Sequence, residues 1–365
     1  MIHLTVWNES ASQETAGRFS FRHCGLQSAN MINLTATSPK KHASAIVLCV
    51  DDEFAPYAFA LITQLVNHFP DLDADFCLVS ETPISPPTTL ASLPIRYCQV
   101  AIAKGDVRFP LSPSLTFATY LRLFAITALA EDYRRVIYMD GDFFYASGDV
   151  SALLTLDLRP GHAVGAVRDM PQQKNVDSRP NEAIILGLPH FPYFNAGLMV
   201  VDTREWLAQD ILARSLTVVI DKPEAVAHRH GQTAINVALR GQWSELSYIW
   251  NFMYTRQLHL PMRVLRPVFI HFVGFGKPWL RDPPYVPVEA VRWYKMFLAT
   301  HYPDLVPSRY NQQYPLRNFH TLRLIKPGLR AMRRRWRYFQ RLMRSPDTTI
   351  DPHHAKNTKN DRLGG

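Results

Sequence analysis

Three apolar runs in the first half of the chain each end on an acidic residue. Ala45 to Val50 runs into Asp51-Asp52, Arg135 to Met139 into Asp140, and Ala163 to Val167 into Arg168-Asp169. Continuous apolar runs of this length suit strands buried on both faces, as in a parallel sheet. Further strands are expected at Asp75 to Val79, at Ile95 to Ala101 and after Tyr193, up to Asp202. Between them the apolar positions fall at helical spacing. Tyr57, Leu61 and Leu65 mark one helix, and Phe117, Tyr120, Leu121, Phe124 and Leu129 mark a second over Thr116 to Ala130. Asp202 and Glu205 begin a third, in the manner of a capping box, carrying Trp206, Leu207, Ile211 and Leu212. Gly231 to Leu239 reads as a fourth, and Val268 to Phe272 as a late strand. Strand and helix alternate, which predicts an α/β fold with a mostly parallel sheet.

The flanks are patterned differently. Residues 1 to 42 are polar and rich in Ser, Thr and Asn, which predicts an N-terminal extension to a main domain over 43–300. The polar, Pro-bounded stretch 170 to 182 predicts a mobile loop. Residues 301–345 form a basic amphipathic segment in which Pro327-Gly328 is expected to break the pattern, leaving a helix from about Leu329 to Met343, and 346–365 a disordered tail.

At 365 residues, 47% hydrophobic and 19% charged, the chain is long enough to bury a large core. Its net charge of +9 is unevenly placed, because Arg317 to Arg344 holds ten Lys and Arg and no acid. The rest of the chain is close to neutral. It therefore offers no basic face for nucleic acid, and the C-terminal segment contains no base-reading module. Cys24, Cys49, Cys77 and Cys98 form no CxxC pair, and the last three fall in predicted strands, as reduced cysteines of a cytosolic protein would. No apolar run is long enough to span a bilayer, and the N-terminus lacks the order of a signal peptide.

The candidate chemistry lies where the apolar runs stop. In open α/β sheets the ligand crevice lies beyond the carboxyl ends of the strands. Asp140 and Asp142, two residues apart at such an end, are expected to face one side and present oxygens to one cation, with Gly141 letting the backbone bend around it. A polar turn would produce the same pattern, and Asp71, Asp73 and Asp75 repeat it in what reads as a solvated turn. Asp51 or Asp52 either caps the following helix or binds a ligand. Arg122, the only charge in its helix, either snorkels to the surface or meets an anion. His271 is either a core histidine or a ligand, but Gly274 and Lys277 follow it in the kind of flexed loop that phosphate sites use.

Six ordered motifs together resemble glycosyltransferase family eight, the retaining group that includes bacterial lipopolysaccharide galactosyl- and glucosyltransferases and glycogenin. They are Val50-Asp51-Asp52, Thr119 to Arg122, Tyr138 to Asp142, Phe194 to Gly197, Gln232 to Asn236 and His271 to Trp279, within residues 43 to 282. The resemblance implies a single GT-A type, Rossmann-like nucleotide-sugar-binding domain with a basic helical C-terminal appendage. It implies transfer of galactose or glucose from a UDP-sugar to a glycan or glycolipid acceptor, in lipopolysaccharide or other cell-surface polysaccharide synthesis. By the same resemblance Asp140, Asp142 and His271 hold a metal, and their oxygen and imidazole donors suit Mn2+ better than Mg2+. Cys49, Val50, Asp51 and Phe54 match the uridine pocket, Gly274 and Lys277 the diphosphate loop. Arg122, Asp169, Asn195, Ala196 and Gln232 match donor-sugar contacts, with Gln232 or Asp169 supporting an oxocarbenium-like state.

Two departures stand out. The family commonly has Asp where this chain has Gly231, and Tyr or Asn where it has Glu53-Phe54. A UDP-sugar-binding relative without transferase activity is therefore the alternative expectation. A sugar nucleotidyltransferase is disfavoured, since it needs a Gly-rich, basic phosphate loop where this chain has Asp51-Asp52-Glu53. The Arg-rich segment 317–344, interleaved with Trp, Phe and Leu, predicts attachment to an anionic membrane surface, and so a cytoplasmic protein peripheral to the inner membrane face; the alternative is a helix packed on the protein's own acidic surface.

Overall fold

A computed structural model describes residues 32–103, 107–111, 116–274, 276–280, 286–306 and 319–344. The strands are β1 (Ile32–Ala36), β2 (Ser44–Cys49), β3 (Asp75–Ser80), β4 (Ile95–Ile102), β5 (Arg135–Met139), β6 (Phe143–Tyr145), β7 (Val164–Arg168), β8 (Phe194–Asp202), β9 (Ser244–Glu245), β10 (Phe252–Met253) and β11 (Phe269–His271). The helices are α1 (Ala55–His68), α2 (Ala118–Leu129), α3 (Met170–Lys174), α4 (Asn181–Ile185), α5 (Thr203–Ala208), α6 (Ile211–Asp221), α7 (Pro223–Val226), α8 (Gly231–Leu239), α9 (His259–Leu265), α10 (Val288–His301) and α11 (Phe319–Arg344).

Eight strands make one sheet in the order β1-β4-β3-β2-β5-β8-β7-β9. Its centre, β4-β3-β2-β5, is parallel, as the alternation of strand and helix requires. β8 runs antiparallel to both β5 and β7. Because β2 is apolar from Ala45 to Cys49, it feeds both cores. Ile46 and Leu48 pack with α1 on one side, while Ala45, Val47 and Cys49 pack with α2 on the other. Cys49, Cys77 and Cys98 are buried and unpaired.

A second, three-stranded sheet has the order β10-β11-β6. Its strands hold two or three residues each, too few for any period to show in the sequence. The chain leaves the large sheet at Met139, turns through Asp140 to Asp142, and enters β6 of the small sheet, where His271 pairs with Phe143.

Several expectations are corrected. Residues 32–36, assigned above to the N-terminal extension, are an edge strand paired antiparallel with β4, while residues 1–31 and 346–365 lie outside the described residues. The expected mobile loop at 170–182 instead contains α3 and the start of α4. Its polarity is internal: buried Gln172 accepts from Tyr193 N at 2.8 Å and Arg168 Nη1 at 3.2 Å, and Gln173 donates to Arg168 O at 2.7 Å. Asp75 is not solvated either, accepting from Tyr133 Oη at 2.8 Å and Lys41 N at 2.9 Å. Finally, α11 continues through Pro327. One side of it, Gly328, Ala331, Arg335 and Tyr338, is buried against the body, and that docking offsets the hydrogen bond a proline removes.

Candidate metal and donor site

The turn from β5 to β6 and the end of β11 bring three side chains to one point. Ligand atoms of Asp140, Asp142 and His271 all lie within 4.8 Å of one another. Asp140 and Asp142 meet through a turn rather than along an extended strand. Gly141 does not face the cluster, since a Cβ there would make ordinary contact with Ala58 at 3.5 Å. The glycine the cluster depends on is Gly197, where a Cβ would lie 2.4 Å from His271 Cε1 and 2.9 Å from Asp140 Oδ2. The small residues ahead of the β8 run make room for the cluster itself.

A hydrogen-bond chain sets which nitrogen of His271 is free. Gly197 N–H donates to Asn195 Oδ1 at 3.1 Å, so that atom is the amide oxygen. Asn251 Nδ2 donates to the same oxygen at 2.8 Å, which turns Asn251 Oδ1 toward His271 Nδ1, 2.9 Å away. An amide oxygen only accepts, so Nδ1 carries a proton and Nε2 is the nitrogen turned toward the carboxylates: a second donor to Asp142 when it too is protonated, a lone pair when it is not. Nε2 lies 3.2 Å from Asp142 Oδ1 in the buried site. A cation between them would take both as ligands, and a histidine oriented by an amide carbonyl is the usual arrangement at metal sites. Two carboxylates and one imidazole fit a divalent transition metal.

The remaining contacts hold the carboxylates in place. Lys277 donates to Asp142 Oδ2 at 2.5 Å and to Phe272 O at 2.6 Å. Burial pushes the Asp142 carboxyl up, but His271 and Lys277 outweigh it and hold it well below the usual carboxylate range. Tyr138 Oη donates to Asp140 Oδ1 at 2.6 Å, and Arg122 Nη2 lies 3.2 Å from the same oxygen. Arg122 does not snorkel. It is 6% exposed, lies over the Tyr138 ring and donates to Ala196 O at 2.7 Å and Thr119 O at 3.0 Å. Burial works against its charge, and Asp140 foremost raises its pKa in return. The anion it meets is Asp140, so it braces a candidate metal ligand.

The other sequence-derived residues surround this cluster unevenly. Gln232 Oε1 accepts from Ala196 N at 3.1 Å and Asn195 Nδ2 at 3.3 Å, which ties the start of α8 to β8 beside the cluster. Asp51 Oδ1 accepts from Phe54 N at 3.0 Å and Oδ2 from Thr116 Oγ1 at 2.9 Å, so this acid shapes the entry to α1. Val50 N is spent on Val79 O, and burial pushes the Cys49 thiol up. Phe54 is 39% exposed and sits edge-on to Tyr57 and Trp279, which stack at 3.9 Å. Gly274 has φ +74° in the loop before Lys277.

Two readings change. Asp169 is not a free carboxylate, because buried Asp169 is ion-paired with Arg229, which also approaches Glu182 at 3.8 Å. Gly231 leaves no vacancy for an acid either. A Cβ there would lie 2.2 Å from the Thr119 carbonyl oxygen, so α8 is packed directly on the α2 backbone. Sequence reasoning missed Asn251 and the roles of Tyr138 and Arg229. Asn251 follows the aromatic Tyr248-Ile249-Trp250, where nothing marks it out.

A sequence model described as Glycosyl transferase family 8 matches residues 45–282. General stress protein A of Bacillus subtilis (strain 168) is 29% identical over 257 residues, covering 64% of this chain and 86% of that protein. Lipopolysaccharide 1,3-galactosyltransferase of Salmonella typhimurium (strain LT2) is 24% identical over 180 residues, 47% of this chain, and the match spans 51% of its length. Lipopolysaccharide glucosyltransferase WaaO of Escherichia coli (strain K12) is likewise 24% identical over 177 residues and spanned over 51% of its length. Among solved structures, the galactosyltransferase LgtC in complex with donor and acceptor sugar analogues superposes with a TM-score of 0.57 at 22% identity. That superposition covers 73% of this chain and 98% of LgtC, a likeness of fold.

Proposed function

We propose, from the premise that the chain belongs to glycosyltransferase family 8, that it transfers a hexose from a UDP-sugar to a glycan or glycolipid acceptor with retention of configuration. The observation that carries the metal-dependent reading is the facing pair of His271 Nε2 and Asp142 Oδ1, 3.2 Å apart with Nδ1 of the histidine committed to Asn251. Asp140, Asp142 and His271 would hold the ion, and Mn2+ suits their mixed oxygen and nitrogen donors. Such an ion supplies Lewis-acid neutralisation of the departing diphosphate.

The chain's own groups do the rest. Lys277 adds positive charge on the diphosphate side of Asp142, where the leaving group gains charge as the anomeric C–O bond breaks. Arg122 and Tyr138 hold Asp140 in place. Phe54, exposed beside the Tyr57–Trp279 stack, offers a ring to the uracil, with Asp51 and the Cys49-Val50 main chain beneath it. Gln232, held through its oxygen, would turn its amide toward the sugar, and Asn195 and Ala196 would border the same pocket.

Gly231 motivated the non-catalytic alternative, and the close α8–α2 packing supplies a packing reason for that glycine, which removes the support it lent to that alternative. The names of the lipopolysaccharide enzymes among the relatives support a cell-surface glycan as the product. Among the described residues no helix is long and apolar enough to cross a membrane. The outer side of α11, with Lys326, Arg330 and Arg333 exposed beside Leu329 and Trp336, supports peripheral attachment to an anionic surface.

The test is release of free UDP from a panel of UDP-hexoses with and without manganese. Asp142→Asn is expected to abolish manganese-dependent release while leaving the melting temperature within a few degrees. Wild-type rates in that variant would rule out the metal assignment.

A further inference from the structure

The seam between α3 and α11 concentrates positive charge that no acid among the described residues pairs with. Arg335 is 2% exposed, its Nε has no hydrogen-bond partner, and its Nη1 makes one long bond, 3.4 Å, to Ala331 O of its own helix. A buried guanidinium in this state is costly, and native chains rarely keep one without an anion. Arg335 borders a cavity of about 10 Å³, the size of one water, whose polar lining is Gln173, Tyr248 and Asn251 and whose apolar lining is Phe252, Met253 and Leu258. Lys174, next to Gln173 on α3, and Arg334, next to Arg335, are both exposed. Neither has an ion-pair partner among the described residues.

The electrostatics agree with that placement. Burial, then Arg335 and Arg334, push the Lys174 ammonium down, so the three charges feel one another. Burial and Arg334 likewise push Arg335 down to about 10. Among the described residues the acid acting on Lys174 is Asp169, which is itself paired with Arg229.

We propose that Lys174, Arg334 and Arg335 form a binding site for a phosphate group carried by the acceptor, with one phosphate oxygen taking the water-sized cavity against Arg335. Three donors of this kind around one oxyanion match phosphate chemistry. Through Gln173 and Asn251 the seam adjoins the metal cluster, so a phosphorylated acceptor would be anchored beside the donor. The proposal rests on the transferase reading, but its test does not.

The experiment is calorimetric titration of the full-length, metal-free protein with inorganic phosphate, at ionic strength held constant with chloride. Saturable binding at one site is expected, weakened at least tenfold by Lys174→Ser and by Arg335→Met, and unchanged by Arg330→Ser on the outer side of α11. Arg335→Met is expected to hold or raise the melting temperature, because it removes an unbalanced buried charge. Absence of saturable binding, or equal binding by wild type and both variants, would overturn the proposal. Vesicles of phosphatidylglycerol added to the complex separate the sources: displacement of phosphate assigns the site to a lipid headgroup, and retention assigns it to a phosphorylated glycan. Manganese binding and UDP release, followed on the same preparations, report on the transferase reading separately.

Discussion

Asn251 decides what His271 can be. Its amide, held by Asn195, which is in turn set by a backbone donor at Gly197, places the imidazole proton on Nδ1 and frees Nε2. Asn251→Leu keeps the volume and removes the acceptor, so the ring is free to flip or to take the other tautomer. Manganese affinity is then expected to fall about 10- to 100-fold with the fold intact. A titration indistinguishable from wild type would leave His271 oriented by packing against Phe143 alone. Asp140, Asp142 and His271 were legible in the sequence because acids at the end of an apolar run, or a histidine within one, contradict their surroundings. Asn251 was not, because its importance comes from a partner twenty positions away.

At the scale of elements, the same limit separates what the pattern carried from what it did not. β2, β5 and β7 were legible because burial on both faces demands unbroken apolar runs. Of the small sheet only β11 was legible, as the run Val268 to Phe272; β6 and β10 escaped because two- and three-residue strands carry no period, and β1 because an edge strand needs little apolar content. Helix α11 crosses Pro327 through tertiary docking, which overrides the local signal. Gly231 was read as a missing acid, whereas it is a contact between two helices. Gly231→Ala is expected to force α8 from α2 and cost about 1–3 kcal/mol, as overpacking does. Thermal melting checks this, and Gly231→Asp is expected to lose more stability with no gain in transfer. An unchanged melting temperature in the alanine variant would mean that the two helices separate freely.

Across the whole molecule, charge is divided between a near-neutral body and one helix that docks with one side and exposes the other. Because the buried side is part of the fold, deleting α11 would uncover the surface around Leu260 and Leu265, so attachment is better tested by reversing charge. Lys326→Glu, Arg330→Glu and Arg333→Glu together remove about 1 kcal/mol of attraction per basic group lost. Flotation with anionic vesicles is expected to fall sharply while manganese-dependent UDP release persists. Equal flotation would move the attachment surface elsewhere.

The three candidate ligands do not belong to one sheet. Asp140 closes β5 of the large sheet, His271 ends β11 of the small one, and Asp142 lies on the turn that joins them. An ion held there is a cross-link between two layers, and cross-links are felt in the unfolding equilibrium as well as in catalysis. At a free concentration 100 times its dissociation constant, the cation would add about 2.7 kcal/mol to the stability of the chain. Saturating manganese is therefore expected to raise the melting temperature of the wild type and leave that of Asp142→Asn unmoved. A resident ion would thus sew the molecule shut with the same atom that the proposed transfer needs to open a sugar–phosphate bond.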